Sequence, residues 1–455
     1  MAGLEVMDGL SACPAMLRAV ERSFNSVVGW RRITASQGES MPNDEFASIS
    51  LTDPALYDDP WAYYAWLRDE HPVWFDANTN MYAISRHADV IEVSRNTEHF
   101  ISGLGVRPVN AVPLSIVSMD DPEHTRQRRL LSRGFTPRQV RKMTEHVREL
   151  TNEVIDEVEG SGEIDFVGDL AMHVPLMVIS ELLGIDPSMR RTLYQWSDQM
   201  IGAEAAGPDD VEALMAGAEA FEGYTSHIAG LIEARRADPG EDLISILTAA
   251  YDAGELKYEE GHLQNYEGGE TVSDLSSDEL LMFCVLLMVA GNETTRNAIA
   301  GGMRAFSQNP DQRDLLIANP DLIDSAVEEI VRFTSPVMNF TRTVAKPITL
   351  HGVDLVEGDV VFMLYQSANR DDRVFDNPEE FRIDRNPNPH VAFGFGTHYC
   401  MASNLARMEI KVVFEELFRR LPDITLSDPH GPIDRSPSAF VAGIHSLPAT
   451  FTPVG

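Results

Sequence analysis

Cysteine is scarce in this chain of 455 residues, which contains only Cys13, Cys284 and Cys400. Three cysteines so widely separated are too few and too scattered for a disulfide framework, and their low number is typical of a reducing compartment. The N-terminus also lacks a basic segment followed by an apolar one, so it does not have the pattern of a secretory signal peptide. We therefore expect a cytoplasmic protein.

Long apolar runs are missing as well. The longest, from Leu280 to Gly291, has 12 residues, whereas a helix that crosses a bilayer needs about 20. This run predicts a buried core helix, and we expect no membrane anchor.

Basic residues are few beside acidic ones. The chain has 36 Lys and Arg against 71 Asp and Glu, which gives a formal net charge of -35. A chain of this charge repels nucleic acid and anionic membranes, so neither is expected as a partner. With 44% hydrophobic residues, the chain has enough apolar side chains to bury a large core.

The first 40 residues differ in pattern from the rest. Their apolar and polar residues follow only a weak pattern. A different pattern begins at Met41, which makes this residue a candidate natural start. We interpret residues 1–40 as an N-terminal extension and residues 41–455 as one domain. No internal repeat is visible.

The periodicity of apolar residues predicts a mainly α protein with small β-sheets. A capping box of Ser276 and Glu279 predicts the start of a long apolar helix that ends near Phe306. The other predicted elements are hairpins in residues 73–84 and 348–365, helices from 121 to 253, a polar surface loop over 256–271, a helix over 321–333, and a helix from the last cysteine to about residue 421.

The segment AFGFGTHYCMASN, residues 392–404, carries the strongest chemical signal. A dinucleotide-binding loop would need a third glycine after a strand, and a zinc site would need three or four ligands where only His398 and Cys400 are near. A Cys/His catalytic pair usually comes from distant positions. A simply buried cysteine stays open as the remaining structural alternative.

One hypothesis uses all the residues of this segment. A thiolate of Cys400, just before a helix, faces the positive helix end and can serve as the axial ligand of haem iron. Gly394 and Gly396 would let the backbone pass close under a flat macrocycle. Phe393 would pack beside the sulfur, and His398 would hydrogen-bond a haem propionate.

The pattern F-G-x-G-x-H-x-C resembles the haem-binding signature of the cytochrome P450 family of haem-thiolate monooxygenases. The resemblance implies a triangular prism in which haem b lies between a long central helix and the cysteine loop. The family often has glycine two residues after the cysteine, where this chain has Ala402. Alanine is a common small substitute at that position, so the chemistry is expected to be unchanged.

Glu329 and Arg332 form an E-x-x-R motif that lies on one helix face. By itself this spacing also suits a surface ion pair. About seventy residues before the cysteine, it is similar to the structural Glu/Arg pair of the family. The resemblance implies a scaffold role, with Arg382 or Arg385 as a third partner.

The sequence AGNETT, residues 290–295, interrupts the apolar helix with a glycine, a carboxylate and two hydroxyls. A helix kink with threonine back-bonding would explain it without chemistry. The resemblance instead implies an oxygen-activation element beside Ala290. Gly291 would leave room for O2, Thr294 would hydrogen-bond the bound oxygen, and Glu293, often Asp in relatives, would relay protons.

Residues 124–142 hold seven Arg and Lys and no acid. A solvated helix face is the simple explanation. The resemblance implies that His124 and Arg128, with Arg342, bind the haem propionates. The remaining cations would then lie on the cysteine side of the haem, where an acidic ferredoxin can dock.

The resemblance implies a monomeric monooxygenase that inserts one oxygen atom of O2 into a hydrophobic small molecule. Electrons would pass from NAD(P)H through ferredoxin reductase and ferredoxin. Some stretches resemble bacterial hydroxylases of sterols, terpenoids or branched lipids. A peroxide-using peroxygenase and a non-catalytic haem protein are the alternatives. The expected substrate contacts are Leu286, Val289, Val337, Asn339 and Phe440.

Overall fold

The computed structural model describes residues 45–108, 115–205, 210–253, 277–436 and 438–454 of the chain. The predicted N-terminal extension, the predicted loop over 256–271 and the capping residue Ser276 lie outside these ranges. The α-helices are Trp61–Glu70 (α1), His87–Arg95 (α2), Glu123–Leu131 (α3), Pro137–Val158 (α4), His173–Leu183 (α5), Arg190–Ala205 (α6), Val211–Ala237 (α7), Leu243–Asp252 (α8), Ser277–Gln308 (α9), Pro310–Ala318 (α10), Ile323–Thr334 (α11), Tyr365–Ala368 (α12) and Ser403–Arg420 (α13).

The strands are short. They are Val73–Asp76 (β1), Met81–Ile84 (β2), Phe100–Ile101 (β3), Glu163–Asp165 (β4), Asn339–Val344 (β5), Ile348–Leu350 (β6), Val353–Leu355 (β7), Val360–Leu364 (β8), Thr425–Leu426 (β9), Asp434–Arg435 (β10), Ile444–Ser446 (β11) and Pro448–Thr450 (β12). The prediction of a mainly α protein with small sheets is confirmed.

Local sequence explains where several helices begin and end. Thr136 caps α4 by accepting a hydrogen bond from the backbone N–H of Gln139, and Pro137 follows at the first helical position. Gly184 ends α5 in the left-handed conformation, with φ of 74°. The predicted helix over 321–333 is confirmed within two residues, and the one after the cysteine ends one residue before Leu421.

The largest sheet has the strand order β1-β2-β8-β5-β3. The predicted hairpin of β1 and β2 is confirmed. In the second predicted hairpin, β6 pairs with β7, but β8 leaves it and pairs in parallel with β2 and antiparallel with β5. The smaller sheets are β4-β12-β9 and the two-stranded β10-β11.

Helix α9 runs through the core and packs against α5, α11 and α13. Its apolar first half is buried, as Phe283 and Met288 show. Helix α13 starts directly after the cysteine segment and also packs on α9. The AGNETT element is part of α9. The cysteine loop is therefore connected directly to a helix that packs against the helix containing this element.

Candidate haem-thiolate site

A tight loop presents Cys400 three residues before α13 begins at Ser403. The Cys400 backbone N–H donates to the Phe393 carbonyl at 2.8 Å, which closes the loop. Gly396 to His398 form one turn of 3-10 helix inside it. The loop therefore fixes the position of the sulfur through the main chain.

The two glycines of this loop are required for different reasons. Gly394 and Gly396 have φ of 72° and 71°, a region that other residues rarely adopt. A Cβ on Gly396 would lie 2.6 Å from the carbonyl oxygen of Ser94 at the end of α2. At Gly394 the nearest atom would be 3.6 Å away, which is ordinary contact. Glycine is thus required at position 396 mainly because α2 packs closely against the loop there. The sequence alone did not indicate this contact.

The Cys400 thiol is partly exposed, and the forces on its proton oppose each other. Desolvation raises the pKa of the Cys400 thiol, while the Ala402 N–H, Arg128 and Arg407 lower it. A bound metal cation deprotonates a thiol outright. The surroundings therefore suit a thiol that becomes a thiolate when it binds a metal.

Phe393 lies beneath a cation. The Arg407 guanidinium carbon is 4.4 Å from the centre of the Phe393 ring. Arg407 is held by both oxygens of Glu328, at 2.5 and 3.0 Å, and Glu328 also accepts from His390 at 2.9 Å. Sequence reasoning missed this network because its members come from α11, α13 and the loop between them.

His124 and His398 stack with ring centroids 4.1 Å apart. His398 Nε2 is 3.1 Å from the Ser102 hydroxyl, so this nitrogen already has a protein partner. Burial, with Arg342, His124 and Arg128, lowers the pKa of His398 to about 2, which keeps the ring neutral. His398 also has a hydrogen bond with the backbone of Met119, so its ring would have to exchange a protein partner to reach a propionate.

His124 fits an acidic ligand better. It is only 2% exposed, and neither ring nitrogen has a hydrogen-bond partner among the described residues, although Nδ1 lies 3.7 Å from the Asp121 carboxylate. A buried polar group without a partner is costly, so a ligand oxygen here would remove that cost. Arg128 lies one turn later and donates to the Tyr399 carbonyl beside Cys400. The pair thus flanks the cysteine loop.

Arg342 lies on β5 and is 6% exposed. Burial lowers the pKa of Arg342, while Tyr365 and Asp120 act against this shift. Its guanidinium donates to the Thr341 carbonyl at 2.7 Å. A guanidinium this buried, with no carboxylate directly bonded in the described part of the chain, suits an anionic ligand.

The middle of α9 has an accessible face. Ala290 is exposed, although Met288 and Asn292 on either side are buried. The Thr294 hydroxyl donates to the Ala290 carbonyl at 2.7 Å. A Cβ on Gly291 would lie 3.2 Å from Ile179, so this glycine also permits the close approach of α5.

Glu293 faces away from Thr294. The Arg296 guanidinium donates to Glu293 Oε2 at 2.6 Å, and both residues are 3% exposed. Asn297 Nδ2 lies 3.4 Å from the same oxygen. Desolvation raises the pKa of Glu293, and Arg296 opposes that shift. The sequence contained the signal, since Arg296 and Asn297 lie at i+3 and i+4 on the helix, but they were not singled out.

Glu329 and Arg332 are both fully buried. Arg332 binds both Glu329 oxygens, at 2.7 and 2.8 Å. The third partner is Arg385, whose Nε lies 3.1 Å from Glu329 Oε2, whereas Arg382 contributes its backbone N–H. The cluster joins α11 to the loop that leads to the cysteine.

The expected substrate contacts gather near β5 and the turn before β11. Phe440 packs on Phe340 with ring centroids 5.2 Å apart, and Val337 pairs with Val441 in an isolated bridge. Leu286 is 7% exposed on α9, and Val289 is half-buried. Asn339 differs from the expectation, because it is fully buried and its amide holds the Ala439 carbonyl.

Comparison with known proteins decides the family. The cytochrome P450 family model matches residues 315–441. A steroid C26-monooxygenase of Mycolicibacterium smegmatis is 37% identical over 409 residues, which are 89% of this chain and 96% of that protein. The chain belongs to the cytochrome P450 family. A steroid C26-monooxygenase of Mycobacterium tuberculosis is also 37% identical to this P450, over 90% of this chain and 98% of that protein.

Solved structures agree with this P450 assignment. The Mycobacterium marinum cytochrome P450 CYP268A2, in complex with pseudoionone, has a TM-score of 0.78 and 33% identity, and the match covers 91% of this chain and all of that one. CYP109E1 of Bacillus megaterium, in complex with testosterone, has a TM-score of 0.75 and 30% identity over 87% of this chain and 99% of that one. The predicted P450 fold is confirmed.

The chain is thus a P450 monooxygenase, an enzyme class that uses haem and O2 with electrons derived from NAD(P)H. The residues present fit a haem, because a buried histidine, two arginines and one thiol lie around the cysteine loop. Among the described residues no cluster of three or more His, Cys, Asp or Glu could hold a metal ion. None of the described helices is both long and apolar enough to cross a membrane.

Proposed function

We propose that Cys400 is the axial thiolate of haem b and that His124, Arg128 and Arg342 bind its propionates. The observation that carries this proposal is the Cys400 loop, which holds the sulfur by its main chain between Arg128, Arg407 and the Ala402 N–H. When bound, haem supplies O2 activation and oxygen transfer. The protein supplies the thiolate, the anchoring cations and the hydrophobic wall.

The absorption spectrum of the reduced protein with CO tests this assignment. We expect a Soret band at the position typical of a thiolate ligand, and Cys400→Ser should lose that band. Cys284→Ser is the matched control, because Cys284 is completely buried in α9. A normal thiolate band in Cys400→Ser would contradict the assignment.

The proposed substrate is a steroid that carries a C26 carbon, and the proposed reaction is its hydroxylation. Support comes from the relatives named steroid C26-monooxygenases and from the apolar residues around Phe440 and Leu286. Substrate-induced shifts of the haem spectrum across steroids and terpenoids test the class. A screen in which only non-steroid ligands bind would contradict it.

Thr294 is proposed to donate its hydroxyl hydrogen on the distal side, and Glu293 to hold the proton that follows it. In Thr294→Ala we expect oxygen consumption to continue while product falls and hydrogen peroxide rises. Thr295→Ala is the control, since Thr295 is 4% exposed and next in the chain. Unchanged product per electron in Thr294→Ala would count against this role.

Electrons are proposed to come from NAD(P)H through a ferredoxin reductase and an acidic ferredoxin. The protein is proposed to be a cytoplasmic monomer in which residues 41–455 form one domain. Support for the docking side comes from Arg138, Arg141 and Lys142, which are exposed on α4. Comparing turnover driven by NADPH with ferredoxin and by hydrogen peroxide separates this proposal from a peroxygenase.

A further inference from the structure

Asn297 bonds in two directions at the centre of the molecule. It is 2% exposed and lies one turn after Glu293 on α9. Its Nδ2 donates to the Glu293 carbonyl at 2.8 Å and lies 3.4 Å from Glu293 Oε2. Its Oδ1 accepts from the backbone N–H of Ile444 at 2.8 Å. One amide therefore connects the buried acid to β11.

The strand that Asn297 holds belongs to a very small hairpin. β10 and β11 pair only with each other, through Asp434 opposite Ser446 and Arg435 opposite Ile444. A two-stranded hairpin is marginally stable in isolation. Its position is therefore determined by what its strands and its turn pack against.

The turn of this hairpin packs against residues 336–340, which contain the expected substrate contacts Val337 and Asn339. We call this segment, together with Phe440, the substrate wall. The Phe440 carbonyl accepts from the Met338 N–H, and the Ala442 N–H donates to the Pro336 carbonyl, both at 2.9 Å. Phe440 itself is half-buried and contacts Phe340. A ligand that displaces the Phe440 ring would thus shift the hairpin that carries Ile444.

Few other groups restrict the orientation of the Glu293 carboxylate. Oε2 is held by Arg296, and Oε1 is buried without any hydrogen-bond partner among the described residues. The other charged or titratable groups that bear on this carboxyl are Asp198 of α6 and His445 of β11. Its orientation therefore depends on Arg296, which is fixed to the same helix, and on Asn297, which reaches another element.

We infer that Asn297 is a positioning residue that couples the substrate wall to Glu293. A substrate that fills the substrate wall determines the position of the hairpin, and the hairpin determines the position of the Asn297 amide. The amide in turn determines the direction of the Glu293 carboxylate. The fraction of electrons that end in product should then depend on how well the substrate fills the wall. This inference rests on the proposed roles of Glu293 and Phe440.

The first test compares two buried asparagines of α9. Asn297→Ala removes the contacts with Glu293 and with Ile444. Asn292→Ala removes a buried amide whose hydrogen-bond partner within the described ranges is Ser197, at 3.4 Å. Product per NADPH oxidised and hydrogen peroxide are measured with a steroid that carries C26 and with a shorter steroid. In Asn297→Ala the product fraction for the better-fitting steroid should fall about fivefold, the factor that one hydrogen bond of ordinary net strength represents.

The wild type should produce a larger product fraction with the steroid that fits better, and Asn297→Ala should lose that difference. Asn292→Ala should keep it. A product fraction in Asn297→Ala equal to that of the wild type would overturn the inference, and so would the same loss in Asn292→Ala. If the wild type itself made no product from any steroid, the proposed function would fail instead.

A second measurement does not depend on turnover or on the variant. Amide hydrogen exchange at residues 443–446 of the haem-loaded wild type is compared with and without steroid. We expect the exchange rate of the Ile444 N–H to change when steroid binds, because that group is bonded to Asn297. No change at Ile444 while exchange at Phe440 responds would overturn the coupling.

Discussion

At Gly396 the chain has no room for a side chain, and this single position carries two separate constraints. A Cβ would meet the Ser94 carbonyl at 2.6 Å, and φ is 71°. The left-handed conformation alone costs a non-glycine residue about 1–2 kcal/mol. The contact with Ser94 adds a backbone shift, because a carbonyl cannot rotate away as a side chain can.

We expect Gly396→Ala to lower the free energy of unfolding by about 3 kcal/mol and to reduce haem content. Gly352→Ala separates the two constraints, since Gly352 has φ of 80° and no atom within 4 Å of an added Cβ. It should cost only about 1–2 kcal/mol. Equal costs in urea unfolding would contradict the role assigned to Ser94.

Glu328 is a residue whose charge is stabilised by the fold. Burial alone would raise the pKa of Glu328, but hydrogen bonds from His390 and Arg407 lower it to about 2. A carboxyl with a lowered pKa in the folded state stabilises the protein above its ordinary pKa. That contribution is lost as the pH falls from about 4.5 towards 2.

We therefore expect Glu328→Gln to be less stable than the wild type by about 1–2 kcal/mol at neutral pH, since Glu328 is partly exposed and the interaction is screened. The difference should shrink as the pH is lowered to about 3. Urea unfolding of both proteins across this range measures it. A difference that stays constant with pH would show that packing, not charge, explains the loss.

Among elements, α11 is attached to the loop before the cysteine by the bonds that its fully buried Glu329 and Arg332 make to loop residues. Arg332 binds Glu329 and also donates to the carbonyls of Asn369, Pro378 and Glu380. Removing one partner of a buried pair leaves a charge without compensation, which costs about 3–5 kcal/mol. The loop that these bonds hold leads directly to the cysteine segment.

Arg332→Gln is expected to destabilise the protein by about 3–5 kcal/mol and to lower haem content with it. Lys346→Gln is the control, because Lys346 pairs with Glu98 on the surface, where the two side chains are 59% and 67% exposed. It should cost at most about 1 kcal/mol. Similar losses in the two variants, measured by urea unfolding and haem absorbance, would contradict the scaffold role.

Elements defined by local periodicity were predictable, and contacts between distant segments were not. The apolar pattern placed the end of α9 within two residues, because a buried helix imposes its own repeat. The parallel pairing of β2 with β8 joins Tyr82 to Val361, and no local signal specifies such a partner. For the same reason the sequence left Arg382 and Arg385 as equal candidates.

The candidate site also combines features that local sequence predicts with features that depend on contacts between distant segments. The spacing in FGFGTHYC predicted the cysteine loop, since a short loop determines its own geometry. The bond between Asn297, which contacts Glu293, and the backbone of β11 was not predictable, because no local pattern specifies a contact between such distant segments. The fully buried Asn339 likewise follows from the packing of the turn before β11 on β5.

For the whole molecule, charge is distributed unevenly. The chain has a net charge of -35, yet exposed cations of α4 border a groove of about 410 Å³ between α4, α11 and α13. Arg141, Arg407 and Lys411 line it together with Asp324 and Glu328, which pair with Lys411 and Arg407. The exposed cations of α4 beside the groove therefore carry the proposed attraction of an acidic partner.

Replacing Arg138 and Lys142 together with Gln should therefore weaken electron transfer from an acidic ferredoxin and reduce its dependence on salt. Exposed charges at an interface act mainly on the association rate, so we expect about a tenfold slower reduction at low ionic strength. The difference from the wild type should disappear in high salt, where exposed charges are screened. Stopped-flow reduction of the haem across a salt series measures both effects.

Arg191→Gln is the matched control, since Arg191 is exposed on α6, away from the groove. It changes the net charge in the same direction but leaves α4 intact. If electron transfer depended only on the total charge of the molecule, this variant would show half the effect of the double variant. We expect Arg191→Gln to have no effect and the double variant to lose its salt dependence. This result would assign the electrostatic attraction to the α4 cations, because charges more than about 10 Å apart are largely screened.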